Sequence, residues 1–236
     1  MTTYNIIGDI HGRTSWKELV DESCINIFVG DFFDPYQPIS FFDLKRNFLE
    51  IVEFKKAHSE NVVLLYGNHD YEYLPGINEK SSRYNELHAM SIRDLLVETA
   101  PSFHGVAYAI GEKYLVTHAG VTRPWKDKYL PEVTNINPTS MARAINALWE
   151  TDKPAFGFRY NAEMFDFYGE SPQHSPIWVR PQMLGWHNLY KRTDVIQIVG
   201  HSQVKHITDS GDVIFIDCLG HVTKSKRITL EESKSS

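Results

Sequence analysis

A chain of 236 residues with 42% apolar residues can bury one sizeable core, and its formal net charge of −6 argues against a general nucleic-acid or membrane surface, which is usually basic. Two cysteines, Cys24 and Cys218, are too few for a disulfide framework and suit a reducing compartment. With a polar, Gly-containing start and no apolar run that could span a bilayer, no secretory signal is expected, and a cytoplasmic protein is.

Tyr4-Asn5-Ile6-Ile7 reads as a first strand that runs straight into Gly8-Asp9. A helix should follow, with Ser15 and Glu18 as a capping box before Leu19 and Val20. Residues 25–29 form a second apolar strand ending in Gly30-Asp31. Ser40 can cap an amphipathic helix from residue 41 to about 58, with Leu44, Phe48, Ile51 and Val52 on one side. Residues 62–66 make a buried third strand ending in Gly67-Asn68. This alternation predicts an α/β fold with a mainly parallel sheet. A helix is expected around 86–97, and Tyr114-Leu115-Val116-Thr117 is a strand that delivers His118.

Residues 121–190 are rich in Pro, aromatics and Arg, with one clear helix marked by Asn137 as N-cap, Pro138 at its first position, and Met141, Ile145 and Leu148 on its apolar face. They read as an insertion folding over the site within a single domain, 1–236. A core strand at 195–199 ends at Gly200-His201, and 213–216 and 226–230 are expected as final antiparallel strands before a frayed polar tail at 231–236.

Five short segments carry the chemistry: Gly-Asp-Ile-His-Gly at 8–12, Gly-Asp-Phe-Phe-Asp at 30–34, Gly-Asn-His-Asp at 67–70, Thr-His-Ala-Gly at 117–120 and Gly-His-Ser-Gln at 200–203. One such pair occurs by chance; five, each at or just after a strand, do not. Functional groups of α/β sheets gather at the carboxyl ends of strands, where Asp9, Asp31, Asn68, His118 and His201 all fall. Carboxylate, amide and imidazole together suit Mn²⁺, Fe or Zn²⁺, with Mn²⁺ the first choice. Two such cations lie roughly 3.5–4 Å apart and need a bridging carboxylate, for which Asp31 is central in chain order. Two dications, two carboxylates and a bridging hydroxide leave a positive site that would attract a phosphate ester.

The five motifs resemble those of the calcineurin-like metallophosphoesterases, and within them the branch of serine/threonine protein phosphatases and symmetrical diadenosine tetraphosphatases. The likeness covers most of residues 4–120 and 195–230. It implies a central β-sandwich of mixed sheets flanked by helices, in α/β/β/α layers. It also implies a first metal on Asp9, His11 and bridging Asp31, and a second on Asp31, Asn68, His118 and His201. His69 would be the catalytic acid, oriented by Asp34. Many phosphodiesterases of the superfamily end in Gly-His-x-His; here Gln203 stands in that place, as in the protein-phosphatase branch. Protein phosphatases carry Arg-Gly after the second Asp of motif two, where this chain has Pro35-Tyr36, and usually Glu where it has Asp70. Arg180, in Ser-Pro-Ile-Trp-Val-Arg, and secondly Arg123 are the candidates to replace the missing phosphate-gripping Arg; the plainer role for either is a surface ion pair.

The expected activity is hydrolysis of phosphomonoesters by a metal-bridging hydroxide, on a phosphoprotein, small monoester or nucleotide. Cleavage of a dinucleoside polyphosphate or a nucleic-acid phosphodiester is the first alternative. Its support is the set of rings Trp125, Trp178, Trp186, Tyr160, Phe165 and Phe167, which could stack on a base or simply pack together. His187 is a further candidate contact near the substrate. A non-catalytic binding scaffold is the second alternative, and the intact ligand set argues against it.

Overall fold

The computed structural model describes residues 1–158, 166 and 169–231. Tyr160, Phe165 and Phe167, and the tail from 232, lie outside the described residues. In chain order the strands are β1 (Thr2–Ile7), β2 (Ile25–Phe28), β3 (Val62–Leu64), β4 (Ala107–Ile110), β5 (Tyr114–Thr117), β6 (Ile196–Val199), β7 (Thr208–Asp209), β8 (Val213–Phe215) and β9 (Lys226–Leu230). They form two mixed sheets, ordered β3-β2-β1-β9 and β4-β5-β6-β8-β7. Within the first, β1, β2 and β3 run parallel and β9 pairs antiparallel with β1. Within the second, β5, β6 and β8 run parallel, with β4 and β7 antiparallel at the edges.

Strand periodicity explains the layering, because neighbouring side chains point to opposite faces. Ile6, Ile27 and Val63 of the first sheet pack with Ile110, Val116, Ile198 and Ile214 of the second, forming the core between the sheets. The next residues along, Ile7, Phe28 and Leu64, turn outward onto Leu44, Phe48, Ile51 and Val52 of α1 (Phe41–Ala57). The mainly parallel single sheet read from strand order is thus two sheets, face to face and flanked by helices.

Ser40 caps α1 by accepting from the Asp43 N–H at 3.1 Å. Between β3 and β4 lie the single turn α2 (Asn68–Tyr71) and α3 (Ala89–Thr99), the latter entered through a 3-10 turn at Glu86–His88. After β5 come α4 (Arg123–Tyr129) and α5 (Pro138–Thr151). Asn137 caps α5 by accepting from Ser140 N–H at 2.8 Å, and Met141, Ala142, Ile145 and Trp149 are buried along it. A last helix, α6 (Pro181–His187), packs Met183 and Leu184 on Val199 and Val213 of the second sheet. No described helix is long and apolar enough to cross a membrane.

Two expectations are corrected. Residues Ser15–Glu18 make a 3-10 turn with no side-chain cap, and the Ser15 hydroxyl is buried without a partner, so there is no capping box. The turn stops because the Leu19 and Val20 N–H groups both go to the Trp16 carbonyl, while the Asn5 side chain takes the Leu19 carbonyl. Strand β8 is parallel to β6, because the β7–β8 hairpin returns the chain in the direction of β6.

Candidate metal centre

The parallel strands of both sheets end at one edge of the sandwich, and the loops that follow them meet there. Asp9, Asp31 and Asn68 follow β1, β2 and β3; His118 and His201 follow β5 and β6. All five side chains are buried or nearly so. Of the five described non-glycine residues with positive φ, four, His11, Asp31, Asp34 and His201, stand in these loops, at φ between 43° and 64°. Such conformations cost about 1–3 kcal/mol each and persist where surrounding contacts impose them. Close approach explains two glycines. At Gly30, with φ 105°, a Cβ would strike Gly67; at Gly200 it would strike the Asp9 carboxylate.

Backbone carbonyls fix the rings. His11 Nδ1 donates to the Phe33 carbonyl and His118 Nδ1 to the Val29 carbonyl, each at 2.8 Å. Each ring therefore turns its Nε2 lone pair inward. His11 Nε2 lies 3.3 Å, and His118 Nε2 3.4 Å, from the same oxygen of Asp31, Oδ2. Asn68 Oδ1 is 3.0 Å from His118 Nε2 and 2.9 Å from His201 Nδ1. Oxygen and nitrogen acceptors converge with too few protons between them, which is the donor set a hard-to-borderline cation satisfies. Asp9, Asp31 and His118 present ligand atoms within 4.8 Å of one another.

The electrostatics agree. Burial, then the Asp217 carboxylate, push Asp9 well above the carboxylate range. Asp31 is also disfavoured by burial, but His118 and His69 outweigh this and hold it well below that range. Burial opposes charge on His118, yet Asp31 and Asp9 prevail and push it up to about 10. His11 is lowered to about 3, mainly by burial. Burial, then the His118 and Arg180 charges, depress His201 well below its usual value. Buried carboxylate, amide and imidazole donors that converge in this way fit a divalent cation.

Asp70 ties two of the loops together. Its carboxylate accepts from the N–H groups of Asp31 at 2.8 Å, Phe32 at 2.9 Å and Gly67 at 2.9 Å. His69 sits beside the cluster, with its own N–H donating to Asp31 Oδ1 at 2.8 Å. Its ring Nδ1 is 2.8 Å from Asp34 Oδ2, and Asp34 Oδ1 accepts from the Tyr73 hydroxyl at 2.5 Å. Asp34, His69 and Glu72 are a second set with metal-ligand atoms close together. Asp34 has spent its oxygens on His69 and Tyr73, so this set reads as a proton network. On its other nitrogen, His69 Nε2 is 2.9 Å from Arg83 Nη2.

Of the two arginines expected at the phosphate, Arg180 is exposed where α6 begins, and its charge reaches His201 and Tyr36. Arg123 is exposed and donates to the Leu189 carbonyl at 3.0 Å. Trp125 is buried against Phe156, and Trp178 packs on Phe158 with its ring 5.9 Å from His201; Trp186 is exposed. His187 ends α6. Asp217, Tyr36, Tyr73 and Arg83 escaped the sequence reading. Asp217 was findable, since it follows the apolar run at 213–216 as the other acids follow theirs. The others stand in coil and carry no pattern.

A family model described as calcineurin-like phosphoesterase matches residues 3–229. The chain therefore belongs to the calcineurin-like phosphoesterases, a family whose members hydrolyse phosphate esters. Among solved structures it is similar to a cold-active protein-tyrosine phosphatase of the psychrophile Shewanella sp., with TM-score 0.59, 18% identity, and 93% of this chain and 72% of that one covered. It is also similar to a protein serine/threonine phosphatase from Saccharomyces cerevisiae, with TM-score 0.51, 15% identity, and 91% and 66% covered. At these identities the likeness concerns the fold. A search of curated protein sequences returns no match.

Proposed function

We propose that this protein is a dinuclear metal-dependent phosphomonoesterase. Asp9, His11 and Asp31 would hold one divalent cation, and Asp31, Asn68, His118 and His201 a second, with Asp31 shared. The observation that carries the reading is the approach of both His11 and His118 to one oxygen of Asp31. When bound, two divalent cations would supply a water nucleophile at neutral pH and neutralise charge on the phosphoryl oxygens. The mixture of oxygen and nitrogen donors suits Mn²⁺.

The chain's own residues do the rest. Asp34 holds the His69 ring by Nδ1, so Nε2, now 2.9 Å from Arg83 Nη2, would give a proton to the departing oxygen once a bound phosphate takes over the Arg83 donor. Burial opposes charge on His69, but Asp31 and Asp34 outweigh it and raise its pKa in the metal-free chain; of the two, only Asp34 would keep supporting the protonated ring with cations on Asp31. Arg180 would neutralise phosphate charge from the α6 side, within a segment, 121–190, read as an insertion over the site. Arg123 is left out, because its guanidinium is engaged by the Leu189 carbonyl. Gln203, in place of a further imidazole, favours monoesters over diesters, and both structural neighbours are named as protein phosphatases.

The test is a substrate panel with the Mn²⁺-loaded chain: aryl phosphate, phosphotyrosine and phosphoserine peptides, diadenosine tetraphosphate and a bis-aryl phosphodiester. Monoesters should turn over fastest, and chelation should abolish the activity. Faster cleavage of the diester or of diadenosine tetraphosphate would overturn the monoester reading.

A further inference from the structure

The segment that lacks the expected arginine offers a tyrosine instead. The Tyr36 ring stands edge-on to His11, with centroids 4.9 Å apart, and His11 stands edge-on to His69 at 5.2 Å. Onto Tyr36 lies Arg83, from the coil between α2 and α3, with Cζ 3.6 Å from the ring centroid. Arg83 Nη2 reaches His69 Nε2 at 2.9 Å, while its Nε is buried with no hydrogen-bond partner. A guanidinium keeps its charge and only donates. Arg83 is therefore a cation held over a ring, with one donor against the nitrogen that faces the site and Nε unspent.

The contact with His69 has a consequence. Nε2 must accept from Arg83, so it cannot carry its own proton while Arg83 holds it. A phosphate oxygen that parts the two, now 2.9 Å from each other, accepts from both, so both can donate at once. Nε and Nη2 lie on the same planar fork that binds two oxygens of one phosphate.

We propose that Arg83, seated on Tyr36, is the phosphate-gripping residue of this site and substitutes for the arginine that Pro35 displaces. The proposal rests on the phosphoesterase reading above. It assigns Tyr36 a positioning role and makes Arg180 secondary.

Binding of inorganic phosphate to the Mn²⁺-loaded full chain, measured by calorimetry with metal content in parallel, tests it. Arg83→Ala should weaken phosphate by at least about tenfold with metal content unchanged, and Arg83→Lys should recover only part, because Lys lacks the fork. Tyr36→Ala should follow Arg83→Ala, whereas Tyr36→Phe, which keeps the ring and loses only the hydroxyl's own bond to Arg83, should lose less. Millimolar guanidinium should rescue turnover of Arg83→Ala, which a merely structural loss would not allow. Phosphate binding by Arg83→Ala within twofold of wild type overturns the proposal, as does loss of metal along with phosphate, or a larger loss in Arg180→Ala. If wild type neither binds phosphate nor hydrolyses aryl phosphate, the phosphoesterase reading falls and takes this one with it.

Discussion

His69 Nδ1 and Asp34 Oδ2, 2.8 Å apart, are the inner end of a hydrogen-bonded chain that runs through the Tyr73 hydroxyl to the Asn85 N–H. Each member fixes the next, so substitutions should weaken catalysis in order of distance from Nε2. His69→Asn should lower kcat by about a hundredfold or more on phenyl phosphate with near-normal metal content. The loss should shrink on dinitrophenyl phosphate, whose leaving group needs little protonation. Asp34→Asn should show a weaker form of this pattern and Tyr73→Phe the weakest. An equal loss on both esters would remove His69 from the acid's role.

How much of this was legible depends on what each residue's neighbours are in sequence. Asp9, Asp31, Asn68, His118 and His201 stand just after apolar strands, so local pattern was enough to place them at strand ends. Helices α1 and α5 were legible from Ser40 and Asn137, because a cap is a local device. The division into two sheets was not, since β3 and β6 are covered on both faces and their runs show no alternation that names a face. The direction of β8 depended on a two-residue edge strand, Thr208–Asp209, too short to read. Arg83 meets His69 and Tyr36 only through tertiary packing, and no spacing records that.

Asp31 is the proposed ligand that both His11 and His118 approach. Asp31→Asn removes the charge shared by both proposed cations and should cost more bound metal than Asp9→Asn or His201→Ala. Elemental analysis after equilibration with limiting Mn²⁺ measures this. Exhaustive chelation of wild type should abolish aryl phosphate hydrolysis and lower Tm, and added Mn²⁺ should restore both. Full activity in chelator would sink the mechanism.

Asp70 joins the loop after β2 to the loop after β3 through three backbone N–H groups. An amide at this place offers one acceptor oxygen and sets its NH₂ against at least one backbone donor. Asp70→Asn should therefore destabilise the chain by about 1–3 kcal/mol, the cost of leaving a buried backbone donor unsatisfied. Asp70→Glu must fit another methylene into a filled space and should also destabilise. Denaturant titration gives both values, and an unchanged midpoint would show that the loops are held by other contacts.

Gly200 lies so close to Asp9 that a Cβ would overlap its Oδ1, whose carboxylate accepts the His201 N–H. Gly200→Ala should displace Asp9 and His201 together, lowering metal content and Tm. Gly185, in α6, has open space about its Cβ position. Gly185→Ala should leave metal content unchanged and raise stability by about 0.5–1 kcal/mol, the usual gain from replacing Gly inside a helix. Equal behaviour of the two variants would mean that the approach to Asp9 is not tight.

Asp217 follows β8 as Asp31 follows β2, and its carboxylate is buried against that of Asp9. Burial pushes its pKa up to about 6 although the Arg13 guanidinium pulls the other way. Its charge is the main electrostatic cause, after burial, of the raised pKa of Asp9. In the metal-free chain Asp217 thus adds to a cluster of buried acids that repel one another. In a metal-loaded chain the same charge would attract the proposed cations. Asp217→Asn should therefore act with opposite signs on the two forms. The metal-free protein should gain Tm, since one buried charge is gone while the shape is kept. Affinity for Mn²⁺, from competition with a coloured chelator, should fall by about 10–100-fold, as when an outer partner of a metal site is removed. A variant that loses Tm in chelator, or binds Mn²⁺ as tightly as wild type, would show that Asp217 serves packing at the end of β8 and takes no part in holding the metals.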